Sequence, residues 1–178
     1  MSSDNKILFL DIDGVLNSER TVLAYNRIIH SNLIKTKFLA PETIVDPLFD
    51  PIAVKLLAMA QRDIGFFIVI SSTWRHHLSI DDFNRLFSFY DWNTTGIIAD
   101  MTGFGGRIRG DQIKKWLDDN GNPDFVIVDD STDMTPDQLI NNFVQVDPAN
   151  GLSVENVDQI YKLFKQGAIN TRNQIILP

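Results

Sequence analysis

The sequence predicts an α/β protein, with a central parallel sheet and helices on both of its faces. Three observations predict it. Apolar runs without polar alternation occur at Lys6-Ile7-Leu8-Phe9-Leu10, Phe66-Phe67-Ile68-Val69-Ile70 and Asp124-Phe125-Val126-Ile127-Val128, as strands buried on both faces require. Segments with helical apolar spacing and capping residues separate them, so strand and helix alternate. Each run also ends in residues able to do chemistry: Asp11 and Asp13, then Ser71 and Ser72, then Asp129 and Asp130. Parallel strands bring such ends to one sheet edge, where open α/β sheets bind their ligands.

The first strand runs into Asp11-Ile12-Asp13-Gly14. In an extended segment Asp11 and Asp13 point to the same side. Two carboxylates so close repel unless a cation lies between them, so the pair asks for a hard divalent metal. Gly14 allows a sharp turn and a close backbone approach. Asp and Gly are also ordinary turn residues; the apolar strand in front is what lifts the motif above a surface turn.

Residues 16–49 read as a flap with a small insertion, or equally as a mobile loop, with a short helix starting at Ser18-Glu19-Arg20. Pro41 and Pro47 break any long element there, and the stretch is too short for a large lid. Asp50-Pro51 opens a helix as N-cap and first helical residue, with Ile52, Leu56 and Leu57 on its apolar side. After the second strand, Ser79 with Asp82 forms a capping-box start to a helix carrying Phe83, Leu86, Phe87 and Tyr90 inward. A short third strand is expected over 94–99, a basic glycine-rich loop over 103–110, and a helix over 112–119 with Ile113, Trp116 and Leu117 buried. The fourth strand ends at Asp129-Asp130, Thr135-Pro136 starts a short helix, and a fifth strand covers 142–146. Ser153 caps a last helix expected to close at Gly167, leaving a tail over 168–178.

A chain of 178 residues with an ordinary globular composition fits one domain, 1–178. The absence of cysteine excludes disulfides, thiolate catalysis and cysteine-based zinc sites. The net charge of −7 argues against a broad electrostatic grip on nucleic acid, though not against a local basic patch. The polar start Met-Ser-Ser-Asp-Asn-Lys shows no secretory signal and no apolar run reaches transmembrane length, so a cytoplasmic location without a membrane is expected. His76-His77 is tempting as a metal pair, but adjacent residues do not share a helix face, and a surface or packing role is expected. Trp74, Tyr90 and Trp92 could stack on a base; core-packing or helix-end roles are expected of each.

Asp11-x-Asp13-Gly14, Ser71 and Asp129-Asp130, in this order and each directly after a buried strand, resemble motifs I, II and IV of the haloacid dehalogenase (HAD) superfamily of phosphatases. The stretches Ser71-Ser72-Thr73-Trp74-Arg75, Ile113-x-x-Trp116-Leu117, Val126-Ile127-Val128-Asp129-Asp130 and Phe143-Val144-Gln145-Val146-Asp147 resemble the HAD domains of Swiss Army Knife RNA repair proteins, which are related to the phosphatase domain of phage polynucleotide kinase-phosphatase. The resemblance implies a three-layer Rossmann-like HAD fold with at most a minimal cap. It implies Asp11 as nucleophile and Asp13 as acid/base, with the Asp13 backbone carbonyl on Mg²⁺. Ser71, or its neighbour Ser72, would hold a phosphoryl oxygen, and Asp130, with Asp129 as the alternative direct ligand, would join Asp11 on the metal. A Lys or Arg near the start of the helix before motif IV should complete the set; Lys114 and Arg109 are the two candidates. Arg75 is the expected substrate-binding arginine after motif II.

The activity implied is a Mg²⁺-dependent phosphomonoesterase passing through an aspartyl phosphate, acting on a nucleotide or a polynucleotide 3′-phosphate end. A phosphatase of small phosphorylated metabolites and a non-catalytic HAD-like binding module are the alternatives; the intact acid set argues against the second. No Gly-x-x-x-x-Gly-Lys-Ser/Thr stretch occurs, so any kinase or ligase function would come from separate partner proteins.

Overall fold

The structure is a computed structural model that describes residues 5–30 and 49–174. Five parallel strands form one sheet: β1 (Lys6–Leu10), β2 (Phe67–Ile70), β3 (Ile98–Met101), β4 (Asp124–Asp129) and β5 (Phe143–Gln145), in the order β3-β2-β1-β4-β5. The order reverses between β1 and β4, and this switch point opens the crevice in which such folds bind ligands.

The alternation of a strand divides the core into two layers. Leu8, Leu10, Ile68, Ile70, Val126, Val128 and Val144 face one side. They pack there against α2 (Pro51–Ile64), α3 (Ile80–Ser88) and α6 (Val154–Gln174) through residues such as Leu57, Phe83, Phe87, Ile160 and Phe164. Ile7, Phe9, Val69 and Ile127 face the other side, against Ile113, Trp116 and Leu117 of α4 (Arg109–Asp119). The Phe9 ring meets Trp116 edge-on at 5.4 Å, and the Trp116 indole N–H reaches Asp100 at 2.7 Å, so a large aromatic is buried with its polar atom satisfied.

Local chemistry sets the ends of these elements. Asp50 caps α2 by accepting from the Ile52 amide at 2.8 Å, ahead of Pro51. It also pairs with Arg20 of α1 (Glu19–His30) at 2.9 Å. Of the expected flap over 16–49, residues 31–48 lie outside the described residues. Ser79 and Asp82 form the expected capping box of α3, and Thr135 with Gln138 forms that of α5 (Pro136–Asn141). Tyr90 lies past the end of α3, with its hydroxyl 3.0 Å from both the amide and the carbonyl of Phe49. Trp92 is buried edge-on against Phe87.

Three elements depart from the sequence reading. The third strand starts at Ile98, because Asn93 accepts from the Thr95 amide and the Ile97 and Ile98 amides return to the Thr94 carbonyl, making residues 94–97 a turn. α4 starts at Arg109 instead of Gln112, because the Asp111 carboxylate accepts from the Arg107 and Ile108 amides and caps it early. α6 runs through Gly167 to Gln174, so the expected tail over 168–178 is helical to Gln174 and its last four residues lie outside the described ones. One glycine costs a helix about 1 kcal/mol, which the preceding turns outweigh.

Gly110 sets how closely α4 approaches the carboxyl end of β4. A Cβ there would lie 2.6 Å from the Thr135 amide nitrogen and 2.8 Å from Met134 Cα, and would also meet the Gln138 side chain. Only glycine lets the first turn of α4 seat against the loop after β4, where its amide donates to the Asp133 carbonyl at 3.0 Å and its carbonyl accepts from Gln138 at 3.0 Å. Gly110→Ala is therefore expected to cost about 1–3 kcal/mol in chemical denaturation, as overpacking does, and to displace Arg109. Wild-type stability in this variant would show that the seat is loose.

Candidate active site

The three chemical strand ends share one rung. Leu10 is paired with Ile70 and Val128, Ile70 with Met101, and Asp129 with Gln145. The ladder continues one residue further: the Asp11 amide donates to the Val128 carbonyl, the Ser71 amide to Leu10 and the Thr102 amide to Ile70, at 3.0–3.1 Å. Thr102, Ser71, Asp11, Asp129 and Gln145 thus lie side by side across the carboxyl edge. Strand alternation turns them to the α4 side of the sheet, where Arg109 begins that helix.

Arg109 Nη1 lies 2.8 Å from Asp11 Oδ1 and 2.5 Å from Asp129 Oδ2. Its backbone amide donates to Asp133 Oδ2 at 3.1 Å, fixing the first turn from below. Lys114 lies elsewhere, on the exposed face of α4, paired with Asp118 at 2.7 Å. Between the two candidate cations, the structure therefore brings Arg109 to the acids and leaves Lys114 on the surface.

The carboxylates strain against one another. Burial pushes the Asp11 carboxyl up from its ordinary value; Arg109, the Ser72 hydroxyl and the Ile12 backbone oppose this, and the charge of Asp130 adds to it. Burial also raises Asp129, followed by the charge of Asp11, and Arg109 only partly offsets them, leaving Asp129 at about 7. Arg109 itself is held above its usual range: burial works against its charge, but Asp11 and Asp129 outweigh burial.

Asp11, Asp129 and Asp130 can each offer an oxygen within 4.8 Å of the others. Gly14, at φ +73°, leaves the room: a Cβ there would lie 2.6 Å from Asp130 Oδ2. An all-oxygen, mainly anionic donor set with its neighbour cleared of a side chain fits a hard divalent cation. The Asp13 carboxylate is outside this group. It is exposed and accepts from Asn17 Nδ2 at 2.7 Å and from the Trp74 indole at 2.9 and 3.0 Å.

Ser71 and Ser72 are both fully buried. Ser72 hydrogen-bonds Asp11 and accepts from the Trp74 amide at 3.4 Å, so the neighbour of the expected motif II residue is the one touching the acid. The hydroxyls of Ser71 and Thr102 are buried and have no hydrogen-bond partner among the described residues. Arg75, expected at the substrate, is instead 7% exposed. It donates to the carbonyls of Ser71 (2.6 Å), Ser72 (2.5 Å) and Thr102 (3.0 Å) and to Gln112 (2.6 Å). Burial lowers its pKa, and the charge of Arg109 acts in the same direction. It braces the ends of β2 and β3 from within. His76 and His77 are exposed, as expected, and their rings lie 6.4 Å apart.

Sequence reasoning missed Trp74 and Asn17 at Asp13, and Thr102 beside Ser71. Thr102 was findable once the register was known, since it follows β3 as Ser71 follows β2. No local signal marks an indole that reaches a carboxylate 61 positions away.

A parallel sheet of this order with acids closing β1 and β4 defines a HAD-type α/β domain. Within that class, residues 7–157 match the profile of the HAD domain in Swiss Army Knife RNA repair proteins, and the chain belongs to this family. It is thus a HAD-family phosphatase domain in the general sense. No curated protein matches it. Among the described residues, no helix is long and apolar enough to cross a membrane.

The raised Asp129 makes stability depend on pH. The folded state holds the Asp129 proton more tightly than the unfolded chain, whose ordinary value is 3.8. The associated stability is present below about pH 4 and lost as pH rises through about 7. In EDTA, the melting temperature of the wild type relative to Asp129→Asn should fall over that window. A difference that stays flat from pH 4 to 7.5, or grows, would contradict these electrostatics.

Proposed function

We propose that this protein is a Mg²⁺-dependent phosphomonoesterase that works through a phosphorylated Asp11 and acts on the 3′-phosphate ends of nucleotides or polynucleotides. The reading rests on one observation above all: Asp11, buried and flanked by Arg109 and the Ser72 hydroxyl on the rung that also carries Asp129. An Asp11 oxygen attacks phosphorus while the bond to the leaving oxygen breaks, and the resulting acyl phosphate is then hydrolysed. Asp13 gives its proton to the leaving oxygen and later takes one from the attacking water. Arg109 and Ser72 offer donors to the phosphoryl oxygens, with the partnerless Ser71 hydroxyl beside them.

Asp11, Asp129, Asp130 and the Asp13 carbonyl would hold magnesium, which supplies positive charge against the anionic ester. Arg75 is read as a brace for Ser71 and Ser72 rather than a substrate contact. The nucleic-acid end is favoured because the family is described from RNA repair proteins. A small phosphorylated metabolite is the second reading. It is favoured by the cleft beside Asp13, of about 490 Å³, which Glu19 and Asp130 make acidic and Val22, Leu23 and Pro148 make apolar.

The test compares kcat/KM for a 3′-phosphorylated oligonucleotide, a mononucleotide 3′-phosphate and a metabolite panel, with Mg²⁺ and with EDTA, using Asp11→Asn as the blank. The oligonucleotide should be turned over best, with loss of activity in EDTA and in the blank. A metabolite preferred over both nucleotides would transfer the assignment to the second reading. Activity in a folded Asp11→Asn variant would remove the nucleophile.

The two basic candidates are separable in the same assay. Arg109→Ala should lose about 10²–10³ in kcat, as removal of a preorganised donor does. Lys114→Ala loses only an exposed pair worth about 0.3–0.5 kcal/mol and should stay within about twofold of wild type. The opposite ranking would mean that Arg109 serves only to neutralise the acids.

A further inference from the structure

Trp74 has no part in the proposed chemistry, yet its indole Nε1 donates to both oxygens of Asp13, at 3.0 Å to Oδ1 and 2.9 Å to Oδ2. Asn17 Nδ2 reaches Oδ1 from the other side at 2.7 Å, while Asn17 Oδ1 accepts from the Gly14 amide at 3.1 Å. An exposed aspartate on a loop would otherwise sample several rotamers. Here two donors hold it, one from its own turn and one from the segment after β2.

Trp74 is itself firmly seated. It lies in the short 3₁₀ turn Thr73–His76, whose cap is Ser72, the same hydroxyl that touches Asp11. The His77 and Leu78 amides both return to its carbonyl at 3.0 Å. Its ring packs on Phe49 at 5.8 Å between centroids, and Phe49 stacks on Tyr90 at 5.8 Å. A rigid side chain in a hydrogen-bonded turn suits the task of aiming another group.

We infer that Trp74 is a positioning residue for the acid step: its indole N–H holds the Asp13 carboxyl at the angle from which it serves the leaving oxygen. The inference rests on the proposed phosphatase reading with Asp13 as acid. In that step an Asp11 oxygen bonds to phosphorus, the bond from phosphorus to the leaving oxygen breaks, and the Asp13 proton passes to that oxygen. A ribose or alkyl oxygen is a poor leaving group and needs the proton; p-nitrophenolate leaves with little help. Loss of positioning therefore discriminates between leaving groups, whereas loss of mere packing slows both alike.

Trp74→Phe keeps a ring against Phe49 and removes only the donor. The readout is kcat/KM, which covers every step through departure of the leaving group, for a nucleoside 3′-phosphate and for p-nitrophenyl phosphate, with Mg²⁺. The ratio of the two should fall about tenfold in the variant, part of the 10²–10⁴ that a positioned acid supplies. Asn17→Ala, which removes the other donor and leaves Trp74 intact, should move the ratio the same way by less, and it serves as the test if Trp74→Phe fails to fold. Asp13→Asn sets the full extent of the fall. An unchanged ratio in both donor variants, with Asp13→Asn still lowering it, overturns the role of Trp74 and leaves the phosphatase reading standing. A wild type inactive on both esters, or an Asp13→Asn variant with an unchanged ratio, overturns the phosphatase reading itself.

Discussion

Two buried carboxylates on neighbouring strands cannot stay charged without a cation, and among the described residues Arg109 is the one that pairs with both. It bridges Asp11 and Asp129 across the switch point of the sheet. Burying an acid is costly unless it is paired and hydrogen-bonded, so the position of Arg109 decides whether this edge of the sheet is tenable at all. That position depends on residues with no chemistry of their own. Asp111 starts the helix early enough to place Arg109 in its first turn, Asp133 receives the Arg109 amide, and Gly110 lets the turn close onto the loop after β4. Even so the pairing is incomplete: Asp129 stays at about 7. Unrelieved like charge beside the substrate edge is a reason for a site to accept a divalent cation.

The other half of the rung is neutral and works differently. Ser71 and Thr102 end β2 and β3 with buried hydroxyls that have no partner among the described residues, a state that costs roughly 1–3 kcal/mol for each group left unsatisfied. Beneath them Arg75 gathers the carbonyls of Ser71, Ser72 and Thr102, so the backbone is rigid where the hydroxyls are not satisfied. Buried polar groups left idle on a braced backbone are what a site keeps for a ligand rather than for its own stability. The sheet edge therefore has a charged half over β1 and β4 and a hydroxyl half over β2 and β3, meeting at the contact of Ser72 with Asp11.

Much of this was legible in the sequence. Apolar runs ending in Asp11, Ser71 and Asp129 specify both the strands and their shared edge, because parallel pairing and alternation leave few other arrangements. The cation was not settled, for a local reason. Reading the start of α4 at Gln112 put Lys114 in the first turn and Arg109 in a loop, whereas the Asp111 cap moves the start to Arg109 and rotates Lys114 to solvent beside Asp118. Arg75 illustrates a different limit. Its charge and spacing fit a substrate contact, and only the carbonyls of three strand-end residues, brought together from β2 and β3, explain its burial. Trp74 is the same case in reverse: an aromatic whose apolar ring suggests packing, and whose one polar atom carries its relation to the site.

The placement of Asp13 outside the buried rung has its own logic. Asp11 and Asp129 are buried and lie against Arg109, where removal from water strengthens their interaction with it. An acid that gives a proton to one oxygen and then takes one from water, the role proposed for Asp13, needs access to both. The turn after β1 meets this need: the Val15, Leu16 and Asn17 amides converge on the Ile12 carbonyl, and Gly14 passes close beneath Asp130. The chain is thereby carried out of the sheet within two residues, leaving Asp13 exposed at the mouth of the cleft. Exposure removes the packing that would fix a short side chain, so its aim must come from hydrogen bonds. Among the described residues Trp74 and Asn17 are the donors that reach it, and under the proposed reading the division between a buried, ion-paired Asp11 and an exposed, hydrogen-bonded Asp13 follows from the different things the two carboxylates would do.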